Sequence, residues 1–229
     1  MTSNAHSVQG QGALSPASRA EAARYALLRR LAPSMRHHLV VNLQPIGMIY
    51  EVMDRRLRAP QPNLAEVHDS AHKINGFARA ALNSCLDVVT WLASEENALC
   101  TVTDGVRECL GLLTTSLTFR GYAVRNEAAP TPGEIHRSAI RNVLTAAMIH
   151  LTDENPSPAE LVLTVEAGSE GAVLTLAVRR TDGDAGFPAE PSYRRLDACD
   201  LDALASAESV QVARDAKQRL RLTIPWVRP

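Results

Sequence analysis

Aromatic residues are scarce in this chain: three Phe, four Tyr and two Trp make up 4% of its 229 residues. So thin a set excludes the stacking platforms on which proteins hold unpaired bases. An excess of one charge is also lacking. The formal net charge is -1 and no block of like charge occurs, so nothing points to a nucleic acid or a membrane surface as partner. Cysteine is limited to Cys85, Cys100, Cys109 and Cys199, with no C-x-x-C pair. That argues against a disulfide framework or a zinc site and fits reduced thiols in the cytosol. No apolar run approaches the ~18 residues of a membrane span. The start, Met1 to Ser18, is rich in Ser, Gln, Gly and Asn and has no apolar stretch of the signal-peptide kind. Residues 1–19 read as a flexible tail, and the protein as cytoplasmic.

What is present is ordinary globular material, 45% hydrophobic and 21% charged, enough for one large or two modest domains. From Ala20 to about Leu57, apolar residues recur at Leu28, Leu31, Met35, Leu39, Leu43, Ile46, Ile49, Met53 and Leu57. At ~100° per residue they fall within roughly 120° of arc, one stripe on one long helix. Arg58-Ala59-Pro60-Gln61-Pro62 breaks that helix. Asn63 and Glu66 then have the spacing of a capping box for a second helix, Leu64 to about Ala93. Its apolar face includes Val67, Ala71, Ile74, Phe77, Ala81, Leu82, Cys85, Val88, Val89 and Leu92, which places Cys85 in a core. Two long helices joined by a short turn lie antiparallel. One hairpin cannot cover both stripes, so two chains are expected to pair into a dimeric four-helix bundle.

Past Asn97 the pattern changes. A helix is expected from about Thr103 to Phe119, ending at Gly121. A strand fits Tyr122 to Asn126, a helix Glu134 to Thr152, and a β-hairpin Leu161 to Val165 with Val173 to Val178. A helix from about Leu201 to Val210 and an alternating strand from Leu220 to Trp226 close the chain. The expected fold class is α+β: a helical hairpin over 20–97, then an α/β sandwich over 98–229 with mostly antiparallel strands.

This order resembles the core of a two-component histidine kinase, over roughly Ala20 to Pro229. The stretch Met35-Arg36-His37-His38-Leu39-Val40-Val41-Asn42-Leu43-Gln44-Pro45-Ile46 is similar to the family's H-box, His-(Glu/Asp)-Leu-x-x-x-Leu. The match makes His37 the phosphoacceptor and Leu39 and Leu43 the core leucines. The closing Leu222-Thr223-Ile224-Pro225-Trp226 is like the family's terminal strand. Departures follow. Where the family's N-box helix carries two Asn that hold magnesium and phosphates, this chain has Ala146 and His150, and Ala offers no oxygen donor. The Asp-x-Gly-x-Gly box survives at best as Asp182-Gly183-Asp184-Ala185-Gly186, with a carboxylate where an anionic ligand must approach, and strand register could instead start it at Arg180, a poorer match. No Gly occurs from Pro188 to Ala205, where a second Gly-rich box and lid belong. The resemblance then implies a core without ATP use, with no cofactor or metal, similar to the dimeric bacterial histidine phosphotransferases of the ChpT kind. Its implied partners are response regulator receiver domains and a second copy of itself.

Helix geometry separates the two histidines. His37 points ~170° from the mean direction of the apolar stripe and His38 ~70° from it, so His37 stands clear for a partner. The alternative stays open: His38 with Asn42 four residues on matches kinases with phosphatase activity, whereas His37 pairs with Val41. Histidine as a residue type titrates near 6.5 and so offers a neutral ring nitrogen near pH 7. The acidic residue that serves as base in autophosphorylation is replaced by His38. Pro45 lies eight residues after His37 rather than five and shifts the expected kink. His68 and His72 have i, i+4 spacing but read as a solvated face, ~15 Å or less from the turn against ~30 Å for His37. His136 and His150 read as ordinary helix residues, and Asp182 and Asp184 as an exposed turn. Three functions remain in play: a phosphoryl relay through His37, a pseudokinase adaptor that binds regulators or kinases without phosphorylation, and an active kinase with an unusual ATP site.

Overall fold

The structure is a computed structural model and describes residues 14–93, 97–187, 193–215 and 219–228. Residues 1–13, the greater part of the expected tail, lie outside that description. Helix α1, Pro16–Leu57, starts earlier than the periodicity suggests. Ser15 caps it, its hydroxyl accepting from the Ser18 amide, and Pro16 takes the first helical position where no N–H is needed. The helix runs unbroken through Pro33 and Pro45, although each proline removes one amide donor from the ladder. Helix α2, Leu64–Leu92, is capped by Asn63, whose side chain accepts from Ala65 N and also donates to Glu66. The two helices are antiparallel. Asn42 Nδ2 meets Ser84 Oγ at 3.1 Å and Arg56 Nη1 meets Ser70 Oγ at 3.5 Å, so advancing along one helix retreats along the other.

The second part is built on a five-stranded sheet in the order β2-β4-β5-β7-β6. Strand β2, Tyr122–Ala128, runs parallel to β4, Ala159–Ala167. Strands β5, Gly171–Arg180, β7, Leu220–Pro225, and β6, Gln211–Arg214, continue antiparallel. A small sheet pairs β1, Leu99–Thr101, with β3, Glu134–His136. Helices α3, Val102–Phe119, and α6, Ala198–Ala207, cover the sheet together with a helical run that has three parts. These are α4, Arg137–Ala139, a π-helical segment, Ile140–Leu144, and α5, Thr145–Glu154. Alternation along the strands puts Leu161, Leu163, Leu174, Leu176, Leu222 and Ile224 into one buried layer under these helices.

The same hydrophobic core takes in Ala23, Ala26, Leu27, Leu31 and Met35 of α1. The first half of α1 therefore lies against α6 and α3, and only its second half belongs to the hairpin alone. Burying Leu27 and Leu31 stabilises this junction by roughly 1.5–3 kcal/mol each. Polar contacts seal its edges. Arg24 pairs with Glu208 at 3.0 Å, and the Tyr25 and Tyr193 rings meet edge to face at 6.0 Å.

The loop after β5 is fixed to the turn between α3 and β2. Gly121 and Gly186 both adopt positive φ, +84° and +64°, and their backbones approach too closely for a Cβ on either. Phe187 N donates to Phe119 O at 2.9 Å, and the two phenyl rings stack with centroids 5.3 Å apart.

Several sequence expectations need correction. Residues 134–136, expected to open a helix, form β3, because pairing with β1 satisfies their backbone. His136 accordingly ends a strand. The helix at α6 stops at Ala207, where Ser209 takes positive φ. Cys85, expected in a core, is exposed, as are its α2 neighbours Leu82, Leu86 and Val89.

Candidate functional site

His37 and His38 sit side by side on α1, ring centroids 6.4 Å apart with planes at 65°. Successive helical positions diverge by ~100°, and their surroundings differ as that demands: His37 is exposed, His38 half-buried. Both line a cleft of about 510 Å³ between α1 and α3. Leu112, Leu113, Leu117 and Ile149 give it an apolar wall, and Arg36 stands exposed at its mouth. At the far end Arg30 forks onto Asp153 at 2.6 and 2.8 Å, and Arg120 reaches the same carboxylate at 3.0 Å. The side chains of Asp153 and Arg30 are only 2% and 6% exposed and that of Arg120 21%, so this triad ties α1 to α5 and to the end of α3 with its carboxylate shielded from bulk water.

His38 also borders a smaller cleft of about 270 Å³ between α1, α2 and α3. Its wall includes Arg141, a buried residue of the π-helical segment. The guanidinium donates to Glu108 at 2.8 Å and Thr90 at 3.0 Å, and lies 4.9 Å over the Trp91 ring. The end of α2 is thus held to the sandwich by one cation. A π-helical segment often marks a functional position, and here it directs Arg141 and Asn142 inward. Sequence reasoning passed over Arg141; an arginine within an otherwise apolar helix was the available signal.

Asn42 is committed within the hairpin. Its amide nitrogen donates to the His38 carbonyl and to Ser84 Oγ, both at 3.1 Å. The resemblance positions in the helix layer are closed. Ala146 is fully buried, and His150, expected as an ordinary helix residue, is buried with Nδ1 2.9 Å from the Leu196 carbonyl and Nε2 3.4 Å from Glu154. A methyl group and an imidazole whose Nδ1 is bonded to the Leu196 carbonyl offer none of the oxygen donors that a magnesium-bound nucleotide needs. Asp182 and Asp184 lie in an exposed turn in which Asp184 accepts from the Gly186 amide. Residues 188–192 of the expected lid region lie outside the described residues.

Other sequence candidates are dispersed. His68 and His72 are exposed on α2. Among the described residues no group of three or more His, Cys, Asp or Glu could hold a metal ion, and no helix is long and apolar enough to cross a membrane. Burial raises the thiols of Cys100 and Cys109, and Cys109 points at the Ile140 carbonyl. Both are packing residues rather than nucleophiles.

The architecture is therefore α+β: long N-terminal helices followed by a mixed sheet with helices on one face. Among solved structures, the chain is similar to the catalytic domain of the histidine kinase ThkA, with 13% identity, 58% of this chain and 98% of that one covered, and a TM-score of 0.44. It is similar to a bacterial phosphotransferase at 11% identity, covering 93% of this chain and 98% of that one, TM-score 0.43. A histidine kinase from Burkholderia phymatum matches at 14% identity over 93% and 98%, TM-score 0.44. No family model and no curated protein matches. The roles of residues below are argued from this chain alone.

Proposed function

We propose that this protein is a histidine phosphotransfer protein of two-component signalling, working as a homodimer and without ATP. A ring nitrogen of His37 attacks the phosphorus of an aspartyl phosphate on a receiver domain. The bond from phosphorus to the carboxylate oxygen breaks, the carboxylate leaves, and the imidazole gives up its N–H proton as the phosphohistidine forms. The reverse step, on a second receiver, returns the phosphoryl group to an aspartate. Such a relay needs an accessible imidazole and room for a docked domain.

The observation that carries the reading is the contrast within one helix layer. An exposed imidazole stands at the mouth of a cleft, while the positions that would hold a nucleotide are filled by Ala146 and by His150 bonded to Leu196. His37 is favoured over His38 because His38 is half-buried and the Asn42 amide is already used inside the hairpin. Pairing of two chains accounts for Leu43, Leu82, Leu86, Val89 and Leu92, all more than half exposed on the hairpin. The division at 97/98 into a dimerisation hairpin and a degenerate ATPase-like sandwich is kept as part of this proposal, with α1 shared between the two.

The test is incubation of the purified chain with receiver domains charged at their aspartate with labelled phosphate. Acid-labile label moves to the chain, His37→Ala abolishes it, and His38→Ala retains it. Binding of receivers without any labelled intermediate would establish the adaptor reading instead. Calorimetric binding of magnesium-ATP, followed by self-labelling, would establish a kinase.

A further inference from the structure

The chain has three phenylalanines, and two of them, Phe119 and Phe187, are 65% and 68% exposed and stacked on each other. Apolar rings are normally withdrawn from water, and a paired, unburied aromatic surface is the kind that anchors protein interfaces. The pair is not a loose excursion. The Phe187 amide is bonded to the Phe119 carbonyl, and the close glycine contact between 121 and 186 holds both backbones. The rings are thus presented by a fixed frame.

Phe119 lines the same cleft as His37. The cleft follows α1 from His37 to Arg30, about 10 Å at the helical rise. An interface of standard size covers about 800 Å² on each partner, a patch wide enough to span that distance. A domain that delivers an aspartyl phosphate to His37 from the cleft side must therefore overlie the apolar wall and reach the phenylalanine pair. Charge selects the same visitor. The lining includes Arg30, Arg36, Arg120 and two histidines but no acidic side chain. Asp153 neutralises Arg30 and Arg120 from behind, and among the described residues Arg36 makes no ion pair. A phosphorylated aspartate in an acidic pocket is the complement of that mouth.

We propose that the cleft between α1 and α3, with the Phe119–Phe187 pair as its far lip, is the docking surface for the receiver domain, and that this pair sets which receivers are accepted. The inference rests on the phosphotransfer reading, and its test keeps the two apart. Isolated receiver domains from the organism that encodes the chain are titrated, unphosphorylated, against the full chain and against Phe119→Ala, Phe187→Ala, Arg36→Glu and His37→Ala. Transfer is then timed from the same receivers charged with acetyl phosphate.

The expected result is about tenfold weaker binding for either Phe variant and for Arg36→Glu, with a matching rise in the half-saturating donor concentration. The maximal transfer rate changes less than twofold. His37→Ala takes no label. Phe variants that bind and transfer like the parent, while label still lands on His37, would overturn the docking surface and leave the relay standing. His37→Ala that still accepts label would remove the relay assignment, while weakened binding by the Phe variants would uphold the surface. Because both rings are exposed, their truncation leaves the core intact, and circular dichroism verifies this. The charge reversal at Arg36 gives a second reading that does not depend on it.

Discussion

Asp153 shows how much can hang on one carboxylate. It is buried and accepts from Arg30 and Arg120 together, so α1, α3 and α5 meet at a single charge. Removing one member of a buried ion pair leaves an uncompensated charge, here on Arg30, at roughly 3–5 kcal/mol. Asp153→Asn is expected to lower the urea midpoint accordingly at an unchanged slope. Asp200 offers a pH test. Burial alone would raise its pKa, but hydrogen bonds from Arg194 and from the Asp197 amide outweigh it and hold the carboxyl below its ordinary range. A depressed folded-state value favours folding above the unfolded pKa of about 3.9. That contribution is expected to fade as the pH falls through the lower folded value. Unfolding curves between pH 2 and 6 should therefore converge for the parent and Asp200→Asn at the acid end and separate above pH 4. At this scale the sequence was legible for His37 and His38, because 100° per residue fixes relative direction without knowledge of the fold. It was not legible for Asp153, nor for what Arg141 would meet. Their partners lie 123 and 33 residues away, and no local pattern marks such pairs.

Among the elements, α6 depends most visibly on its cap. Asp197 and Asp200 form a reciprocal capping box, the Asp197 side chain accepting from Asp200 N and the Asp200 side chain from Asp197 N. Asp197→Ala is expected to reduce stability by about 1 kcal/mol, read as a drop in the thermal midpoint. Helices α1, α2 and α3 and strands β4, β5 and β7 could be read from periodicity, since each repeats its pattern over several residues. Strands β1, β3 and β6 could not, because three or four residues hold too little alternation. The buried face of the first half of α1 was missed for another reason. It is made of Ala20, Ala23 and Ala26 as much as of leucines, and alanine spacing gives a weak apolar signal. Nothing in composition distinguishes the π-helical segment from the α-helix on either side.

For the whole molecule, the proposed pairing rests on the exposed leucines and valines of the hairpin. If two copies bury them, Val89→Asp, which sets a charge on that face, is expected to convert a dimer into a monomer in sedimentation equilibrium. Val89 is no part of the sandwich core, so the circular dichroism of the chain should persist. Parent chains that sediment as monomers would remove the bundle from the proposal. The Cys85 reversal belongs here too: the stripe was legible, but its exposure in a single chain was not.

Because α1 runs without a break from the sandwich into the hairpin, it acts as a rigid shaft whose phase is set by residue count. One residue inserted after Met35 would turn everything beyond it by about 100° and advance it by about 1.5 Å. The imidazole at the mouth would then face a different quadrant from the wall it now adjoins. Seven inserted residues would restore the facing to within about 20° while moving it about 10 Å along the axis. Deletions and duplications in this stretch are therefore filtered by angle before they are filtered by chemistry.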